Sequence, residues 1–195
     1  DDNTRLSAMS NGEIDLIATN SSTLAEKLDQ LSGINMISAD SAAAKGYYYI
    51  AVDSYNEDKP TYDVRVRQAI MYGVDRNSSV PAITSGYYEA INQLALEGSY
   101  AYLEDDQLYS TYDYDPEKAK ELLTEAGYPN GFDTMHHSRS GGLYEAIAVT
   151  MQSYLKEIGI NMDITVMGDS ATVSRLTSGN SNGEITFTSA GTSPC

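Results

Sequence analysis

The sequence predicts an α/β domain, in which helices cover a sheet, from three observations. Apolar and polar residues alternate over 160–167 (INMDITVM), which is the period of a half-buried strand. Residues 143–158 instead carry apolar side chains at helical spacing. After residue 130 the strand and helix patterns follow one another along the chain, which is typical of a sheet flanked by helices.

The N-terminal segment predicts a short helix and then a strand. Apolar residues recur at helical spacing over 3–11, with Asp2 or Asn3 placed to cap the helix and Gly12 placed to end it. The apolar run at 13–18 (EIDLIA) predicts the strand that follows.

A second helix and two further strands are predicted before residue 54. Ser21 or Ser22 caps a helix that runs through Leu31, because leucines repeat there every three to four residues. Residues 33–38 predict a strand, and 46–53 (GYYYIAVD) predict another because they are rich in strand-forming residues.

The segment 62–76 (YDVRVRQAIMYGVDR) concentrates three arginines and two aspartates around an apolar stripe. We expect Asp63 to cap one helix and Asp75 to begin a second, short helix that Pro81 kinks or shortens. No nucleophile or general base lies beside these charges in the sequence, so we interpret them as structural rather than catalytic.

Residues 84–114 show no clear period and are rich in tyrosine, so they predict a long irregular excursion of the kind that often carries function. A well-marked helix follows at 114–128. Asp115 caps it, Pro116 occupies its first position and Gly127 ends it.

The last third of the chain contains the remaining predicted elements. They are a strand at 131–138, a turn at 138–142, a helix that Gly159 ends, a strand at 160–167, a short helix at 170–178 and a strand at 184–191. Ligands of open α/β sheets bind beyond the carboxyl ends of the strands. The loops 138–142 (SRSGG) and 189–195 (SAGTSPC) are therefore the best-placed candidates for ligand contact.

Composition excludes several classes of function. The net charge of −16, from 28 acidic and 12 basic residues, repels phosphate backbones, so we expect no nucleic-acid partner. Cys195 is the only cysteine, which excludes a disulfide within the chain and a cysteine-based zinc site. His136 and His137 are adjacent on a predicted strand and point to opposite faces, so we expect no metal site.

We expect a binding protein without a cofactor rather than an enzyme. The sequence contains no glycine-rich phosphate loop, nucleophile elbow or HExxH, and its two histidines make a hydrolytic triad improbable. No apolar run approaches the ~20 residues that span a bilayer. The chain opens on Asp1 without a signal peptide and ends just after a predicted strand, so we expect a fragment of a larger protein.

Four segments, in this order and spacing, closely resemble the dipeptide/oligopeptide class of extracellular solute-binding proteins of ABC transporters (family 5). They are DDNTRLSAMSNGEIDL, YDVRVRQAIMYGVDR, YDYDPEKAKELLTEAGYPNGF and LKEIGINMDI. The resemblance covers nearly the whole chain.

The resemblance implies a type II periplasmic-binding-protein-like lobe, with a mixed sheet flanked by helices. Residues 1–195 match the second, C-terminal lobe of a two-lobed protein, so the first lobe and the C-terminal return are absent. Such a protein is expected to be extracellular or periplasmic, monomeric and anchored at the cell surface through a missing anchor. It closes on a peptide or other small solute by hinge motion and delivers it to the permease subunits of the transporter.

The resemblance also implies ligand contacts in the loop after the last strand, at Ala190, Gly191, Thr192 and Ser193. The family usually carries there a tryptophan and then an aspartate that pairs with the amine of a peptide. Ala190 stands near the tryptophan position and Ser193 near the aspartate position. Serine forms no ion pair, so this loop does not predict recognition of a free α-amine unless an aspartate follows just beyond Cys195.

Two further groups of residues are candidates for ligand contact. On the turn before the long helix, Arg139 can bind a carboxylate through two hydrogen bonds, and Tyr144 can stack or donate a hydrogen bond. On the strand at 46–53, Tyr47 and Tyr48 offer aromatic faces to the cleft. Since the two side chains alternate, one of them faces the core instead.

Three alternatives stay open at this point. The same lobe can serve as the ligand-sensing domain of a regulator or receptor, which only the flanking segments decide. It can bind a non-peptide solute such as an oligosaccharide, an opine or a metal chelate, which the tyrosine-rich segment 84–114 and the neutral Ser193 favour. An enzyme is the third alternative, and it requires a site that the sequence does not show.

Overall fold

The structure is a computed structural model that describes residues 1–19, 21–37, 46–95, 100–104, 108, 111–140, 143–177 and 183–191. The α-helices of this part are α1 (Asp2–Ser10), α2 (Ser22–Asp29), α3 (Val64–Tyr72), α4 (Arg76–Ile83), α5 (Pro116–Glu125), α6 (Leu143–Glu157) and α7 (Asp169–Thr177). The strands are β1 (Gly46–Val52), β2 (Phe132–Arg139), β3 (Ile160–Met167) and β4 (Ile185–Gly191). A 3₁₀ helix covers Pro60–Tyr62. None of the described helices combines the length and the apolar character that crossing a bilayer requires.

Side-chain caps begin most of the helices, and the sequence located nearly all of them. Ser21, Asp63 and Asp115 accept hydrogen bonds from the first turns of α2, α3 and α5, as predicted. The cap of α1 was predicted wrongly, because Asp1 accepts the hydrogen bond from the backbone of Thr4 at 2.9 Å. Each cap satisfies a backbone N–H that the helix itself leaves without a partner.

Helix α4 runs through Pro81 instead of ending there. Asp75 caps it as predicted, and the helix continues to Ile83. Pro81 lies in the last turns of this eight-residue helix, so the N–H that proline lacks costs the helix one hydrogen bond near its end.

Two of the six predicted strands do not form. Residues 13–18 and 33–37 are irregular, with Leu16 83% exposed and Ile37 87% exposed, while Ser38 lies outside the described residues. A strand needs a partner strand to pair its backbone N–H and C=O groups. The apolar pattern of these two segments does not indicate whether such a partner is present.

The four remaining strands confirm the predicted α/β class, with one parallel and one antiparallel pair flanked by helices. β1 pairs antiparallel with β4, and β2 pairs parallel with β3. They form two ribbons, which side chains of β2 join. His136 Nδ1–H donates to the carbonyl of Ile185 at 2.9 Å, and the hydroxyl of Thr134 donates to the carbonyl of Gly183 at 3.0 Å.

One apolar core joins the helices α3, α5 and α6 to both ribbons. Its buried side chains come from α3, α5, α6, β3 and β4, and include Val66, Ile70, Leu123, Met151, Leu155, Ile160, Met162, Ile185 and Phe187. Burying a side chain of this size fully contributes about 1.5–3 kcal/mol, so this layer dominates the stability of the fold. The alternation over 160–167 places Val166 on the same face of β3 as Ile160 and Met162, but Val166 is 51% exposed, because that end of the strand extends beyond the core.

The arginines of the segment 62–76 bind backbone carbonyls, which supports their structural interpretation. Arg65 pairs with Asp63 and donates to the carbonyl of Glu125 at 2.7 Å, which joins α3 to the end of α5. Arg67 donates to the carbonyl of Tyr62 at 2.7 Å. These bonds fix the entry to α3.

Arg76 holds the returning end of the irregular excursion. Its Nη2 donates to the carbonyls of Thr111 at 2.7 Å and Tyr112 at 2.9 Å. Burial lowers the pKa of Arg76, but a guanidinium remains charged throughout the physiological range. The residues of 84–114 that the structure describes contain no helix or strand after Thr84, as predicted, so bonds of this kind replace regular structure there.

The backbone of Gly131, in the turn from α5 to β2, lies very close to the backbone of Gly159. Its φ is +74°, and a Cβ at this position would lie 1.8 Å from the carbonyl oxygen of Gly159. We expect Gly131→Ala to lower the free energy of unfolding by ~4 kcal/mol. Gly127→Ala is the matched control, because Gly127 has φ +92° with nothing within 4 Å and so loses only ~1–2 kcal/mol. Equal losses in chemical denaturation of the two variants would contradict this packing.

The burial of His136 in the core should make the stability of the protein sensitive to acid. The ring is 1% exposed, lies edge-on to Phe187, and its Nε2 is buried without a hydrogen-bond partner among the described residues. Burial lowers the pKa of His136 below the ~6.5 of an unfolded histidine, so the unfolded chain takes up the proton first. Stability is therefore present above pH ~6.5 and falls as the pH drops through the folded pKa.

The variant His136→Asn isolates this contribution, because asparagine keeps a donor for Ile185 and does not titrate. We expect the wild type to lose more unfolding free energy than the variant between pH ~7.5 and ~5, measured by urea denaturation. Identical losses would show that His136 does not couple to pH.

Candidate functional site

The pairing of β1 with β4 brings two of the predicted ligand-contact groups together. Tyr48 lies opposite Ser189, and Tyr47 lies opposite Ala190. The start of β1 and the end of β4 therefore share one edge of the ribbon. Gly191 closes the register opposite Gly46, while Thr192 and Ser193 lie outside the described residues.

The third predicted group reaches the same edge from β2 and α6. Arg139 is the last residue of β2, and Tyr144 lies in the first turn of α6. Arg139 Nη1 donates to the Tyr144 hydroxyl at 3.2 Å, and the guanidinium carbon lies 5.3 Å from the centre of the Tyr144 ring. The Tyr144 hydroxyl lies 2.9 Å from Ser189 Oγ. Three strands and a helix thus converge on one polar cluster, and the glycines of the intervening turn, Gly141 and Gly142, are outside the described residues.

Three tyrosine rings pack at this cluster. The ring of Tyr48 lies 5.4 Å from that of Tyr144 and 6.0 Å from that of Tyr88, each pair at 70°. Burial raises the pKa of Tyr48, and the neighbouring phenols raise it further, while Arg139 opposes them. Burial also raises the pKa of Tyr88. Both phenols are therefore neutral at physiological pH and act as hydrogen-bonding groups with apolar faces.

Tyr47 does not join this cluster. Its side chain lies on the other face of β1, where its ring is 5.8 Å from that of Tyr49. This follows from strand alternation, so Tyr48 is the better placed of the two predicted tyrosines. A contact between Tyr47 and a ligand stays a prediction.

Tyr88 belongs to the cluster and was missed in the sequence, whereas Ser189 lies in the predicted loop 189–195 but was not singled out as a contact. Tyr88 comes from the irregular segment 84–114, where no period assigns a face to any residue. Ser189 had a readable signal, because it ends the inward stripe of β4 after Ile185 and Phe187. A polar residue that ends an apolar stripe indicates a change of environment at that end of the strand.

A second polar cluster lies on the other face of the β1–β4 ribbon. Glu184 is 3% exposed, and both of its oxygens bind Arg175 of α7, with Arg175 Nε donating to Oε2 at 3.1 Å. His137 Nδ1 lies 3.1 Å from the same Oε2. Burial and the neighbouring Arg175 lower the pKa of His137, so its imidazole is neutral at pH 7 and donates a hydrogen bond from Nδ1–H to Glu184.

This charge-balanced trio borders a pocket of about 280 Å³ beneath α7, which Tyr49 and Thr188 also border. The carboxylate is shared between Arg175 and His137, so the trio anchors α7 to the strands. Groups of three or more side chains placed to bind a metal ion do not occur in the part of the chain that the structure describes.

Glu184→Gln tests the anchoring role. Removing the carboxylate weakens the charge-assisted hydrogen bonds from Arg175 and His137, but Arg175 is partly exposed and regains some hydration. We expect a loss of about 1–2 kcal/mol in chemical denaturation. Glu121→Gln, on the exposed face of α5, is the matched control and should change stability by less than ~0.5 kcal/mol. Equal effects of the two substitutions would show that α7 is held by other contacts.

Comparison with known proteins gives one family over nearly the whole chain. Residues 1–194 match the family described as bacterial extracellular solute-binding proteins, family 5 Middle. The glutathione-binding protein GsiB of Escherichia coli K12 is 30% identical over 168 residues, which are 86% of this chain and 31% of that protein. Heme-binding protein A of Haemophilus influenzae is 41% identical over 86 residues, which are 44% of this chain and 15% of that protein.

A solved structure shows the same architecture. The periplasmic binding protein DppA of Helicobacter pylori, in complex with the peptide STSA, matches with a TM-score of 0.78 and 28% identity. The match covers 97% of this chain and 35% of that one. The predicted periplasmic-binding-protein-like fold is therefore confirmed, and the chain spans about a third of the length of these relatives.

Proposed function

The chain belongs to the bacterial extracellular solute-binding proteins of family 5, and on that basis we propose that it binds a peptide or a related small solute for transport. Residues 1–195 are the second, C-terminal lobe of a two-lobed protein, and the cluster around Tyr48, Arg139 and Tyr144 is its half of the ligand cleft. The named ligands of the relatives, glutathione and the peptide STSA, support this class of solute.

The observation that carries the proposal is the convergence of β1, β2, β4 and α6 on one cluster. Ligands of α/β sheets bind beyond the carboxyl ends of strands, and Arg139 and Ser189 lie at the carboxyl ends of β2 and β4. The site combines a guanidinium, hydroxyl groups and aromatic faces, which suits the charged ends, amides and side chains of a short peptide. The contacts proposed with the solute involve Tyr47, Tyr48, Arg139, Tyr144, Ala190, Gly191, Thr192 and Ser193.

The mechanism is binding with closure. The other lobe supplies the second half of the cleft, and the solute is enclosed when a hinge brings the two lobes together. The closed protein then docks on the permease subunits of an ABC transporter at the membrane. The family is extracellular, and we propose that the full protein is a monomer anchored at the cell surface.

A non-peptide solute is the second candidate. The similarity to a heme-binding protein over 86 residues favours it, because that relative is named for binding a large aromatic ligand. The tyrosine faces at Tyr48 and Tyr88 can stack on such a molecule.

A calorimetric and thermal-shift screen of the two-lobed protein tests the proposal. It compares free peptides, N-blocked peptides, glutathione, sugars and heme. We expect a peptide-class solute to bind and Arg139→Gln to weaken that binding about 10- to 100-fold, since a charge-assisted hydrogen bond contributes about 1.5–3 kcal/mol. Lys120→Gln, on the far helix α5, is the control of equal charge change and should leave the affinity unchanged.

Two results would overturn the proposal. One is that no solute of the screen binds, and the other is that Arg139→Gln and Lys120→Gln behave alike. The isolated chain should bind weakly or not at all, because half a cleft leaves the solute half solvated.

A further inference from the structure

A chain of hydrogen bonds crosses the candidate site from β2 through α6 to β4. Arg139 Nη1 lies 3.2 Å from the Tyr144 hydroxyl, which lies 2.9 Å from Ser189 Oγ. The Tyr144 ring is held on two sides, by the Arg139 guanidinium at 5.3 Å and by the Tyr48 ring at 5.4 Å. The position of this hydroxyl is therefore fixed by packing as well as by its hydrogen bonds.

The hydrogen bonds of this series have one favourable direction of donation, from Arg139 to Tyr144 to Ser189. A guanidinium only donates, so the Tyr144 oxygen must accept from Arg139. Tyr144 has a single proton, and Ser189 Oγ is the acceptor within reach among the described residues. Donation from Tyr144 to Ser189 lets each bond polarise the next, whereas the reverse direction leaves the proton of Tyr144 without a partner.

Ser189 is the last residue of this series of hydrogen bonds and lies at the surface. Its oxygen accepts from Tyr144, so its own proton is not taken up by that bond or by another bond among the described residues, and the residue is exposed at the edge that carries the candidate ligand contacts. We infer that Ser189 is a specificity-determining residue, which donates its hydroxyl proton to an acceptor oxygen of the solute, a carbonyl or a carboxylate. Tyr144 is the positioning residue that orients this donor.

This inference rests on the proposed function and sharpens it. A hydroxyl that is committed as a donor favours an oxygen acceptor and does not select for an amine at this point. The strand edge that includes Ser189 thus recognises the oxygen atoms of a peptide backbone or terminus, whatever the chemistry of the peptide's N-terminus.

Calorimetry on the two-lobed protein with a matched pair of probes tests the direction of the donor. The probes are tri-alanine with a free amine and N-acetylated tri-alanine. We expect Ser189→Ala to weaken the binding of both by about tenfold, which corresponds to about 1.4 kcal/mol. Ser189→Thr keeps the hydroxyl and should stay within about threefold of the wild type.

A double-mutant cycle tests the positioning role. Tyr144→Phe keeps the ring and removes the hydroxyl, so Ser189 loses its orienting bond. We expect the combined variant Tyr144→Phe with Ser189→Ala to bind only slightly more weakly than either single variant, because one broken link already disables the donor. Melting curves of all variants serve as the control for folding.

The outcomes separate the two proposals. If the wild type binds neither probe nor any solute of the wider screen, the proposed function fails and this inference fails with it. If the wild type binds but Ser189→Ala has no effect, or the losses of the cycle are additive, only the inference is overturned. Two further outcomes overturn the inference, because in both Ser189 would accept from an amine. In the first, Ser189→Ala weakens the binding of the free-amine probe only. In the second, the wild type binds only the free-amine probe and Ser189→Ala abolishes that binding.

Discussion

The antiparallel pairing of β1 with β4 is the constraint on which the rest of the structure depends. It joins segments about 140 residues apart and sets Tyr48 opposite Ser189 at one end and Val52 opposite Ile185 at the other. Next to the end where Val52 faces Ile185, the Asp53 carboxylate accepts a hydrogen bond from the backbone N–H of Gly183 at 2.7 Å, which fixes the register. A slip of one residue would move Ile185 and Phe187 from the core to the opposite face and separate the site residues.

Contacts between tyrosine rings are a second recurring feature of the packing. Sixteen tyrosines accompany two phenylalanines and no tryptophan. Several of their rings pack edge-on or tilted against one another, as in Tyr72 with Tyr112 and Tyr114 with Tyr154. Such pairs fill half-buried positions while the hydroxyl groups keep contact with water or a polar partner. The same kind of contact joins Tyr48 to Tyr144 and places two aromatic rings at the candidate site.

Local signals in the sequence predicted local structure well and long-range structure less well. The caps at Ser21, Asp63 and Asp115 could be found because a cap depends on residues within one turn. The prediction of strands at 13–18 and 33–38 was wrong, because a strand depends on a partner strand that cannot be identified from its own residues. At the site, Arg139 and Tyr144 could be predicted from their place at a turn before a helix. Tyr88 could not, since its position depends on how an aperiodic segment folds back over β1.

A crystal structure of the two-lobed protein with its tightest-binding solute would test the central claim most directly. The account predicts that the solute lies between the lobes, with Tyr48, Arg139 and Ser189 each within about 4 Å of it, a distance that marks direct contact. A solute that instead lies on the opposite face of the β1–β4 ribbon, beside Tyr49 and Arg175, would contradict the account.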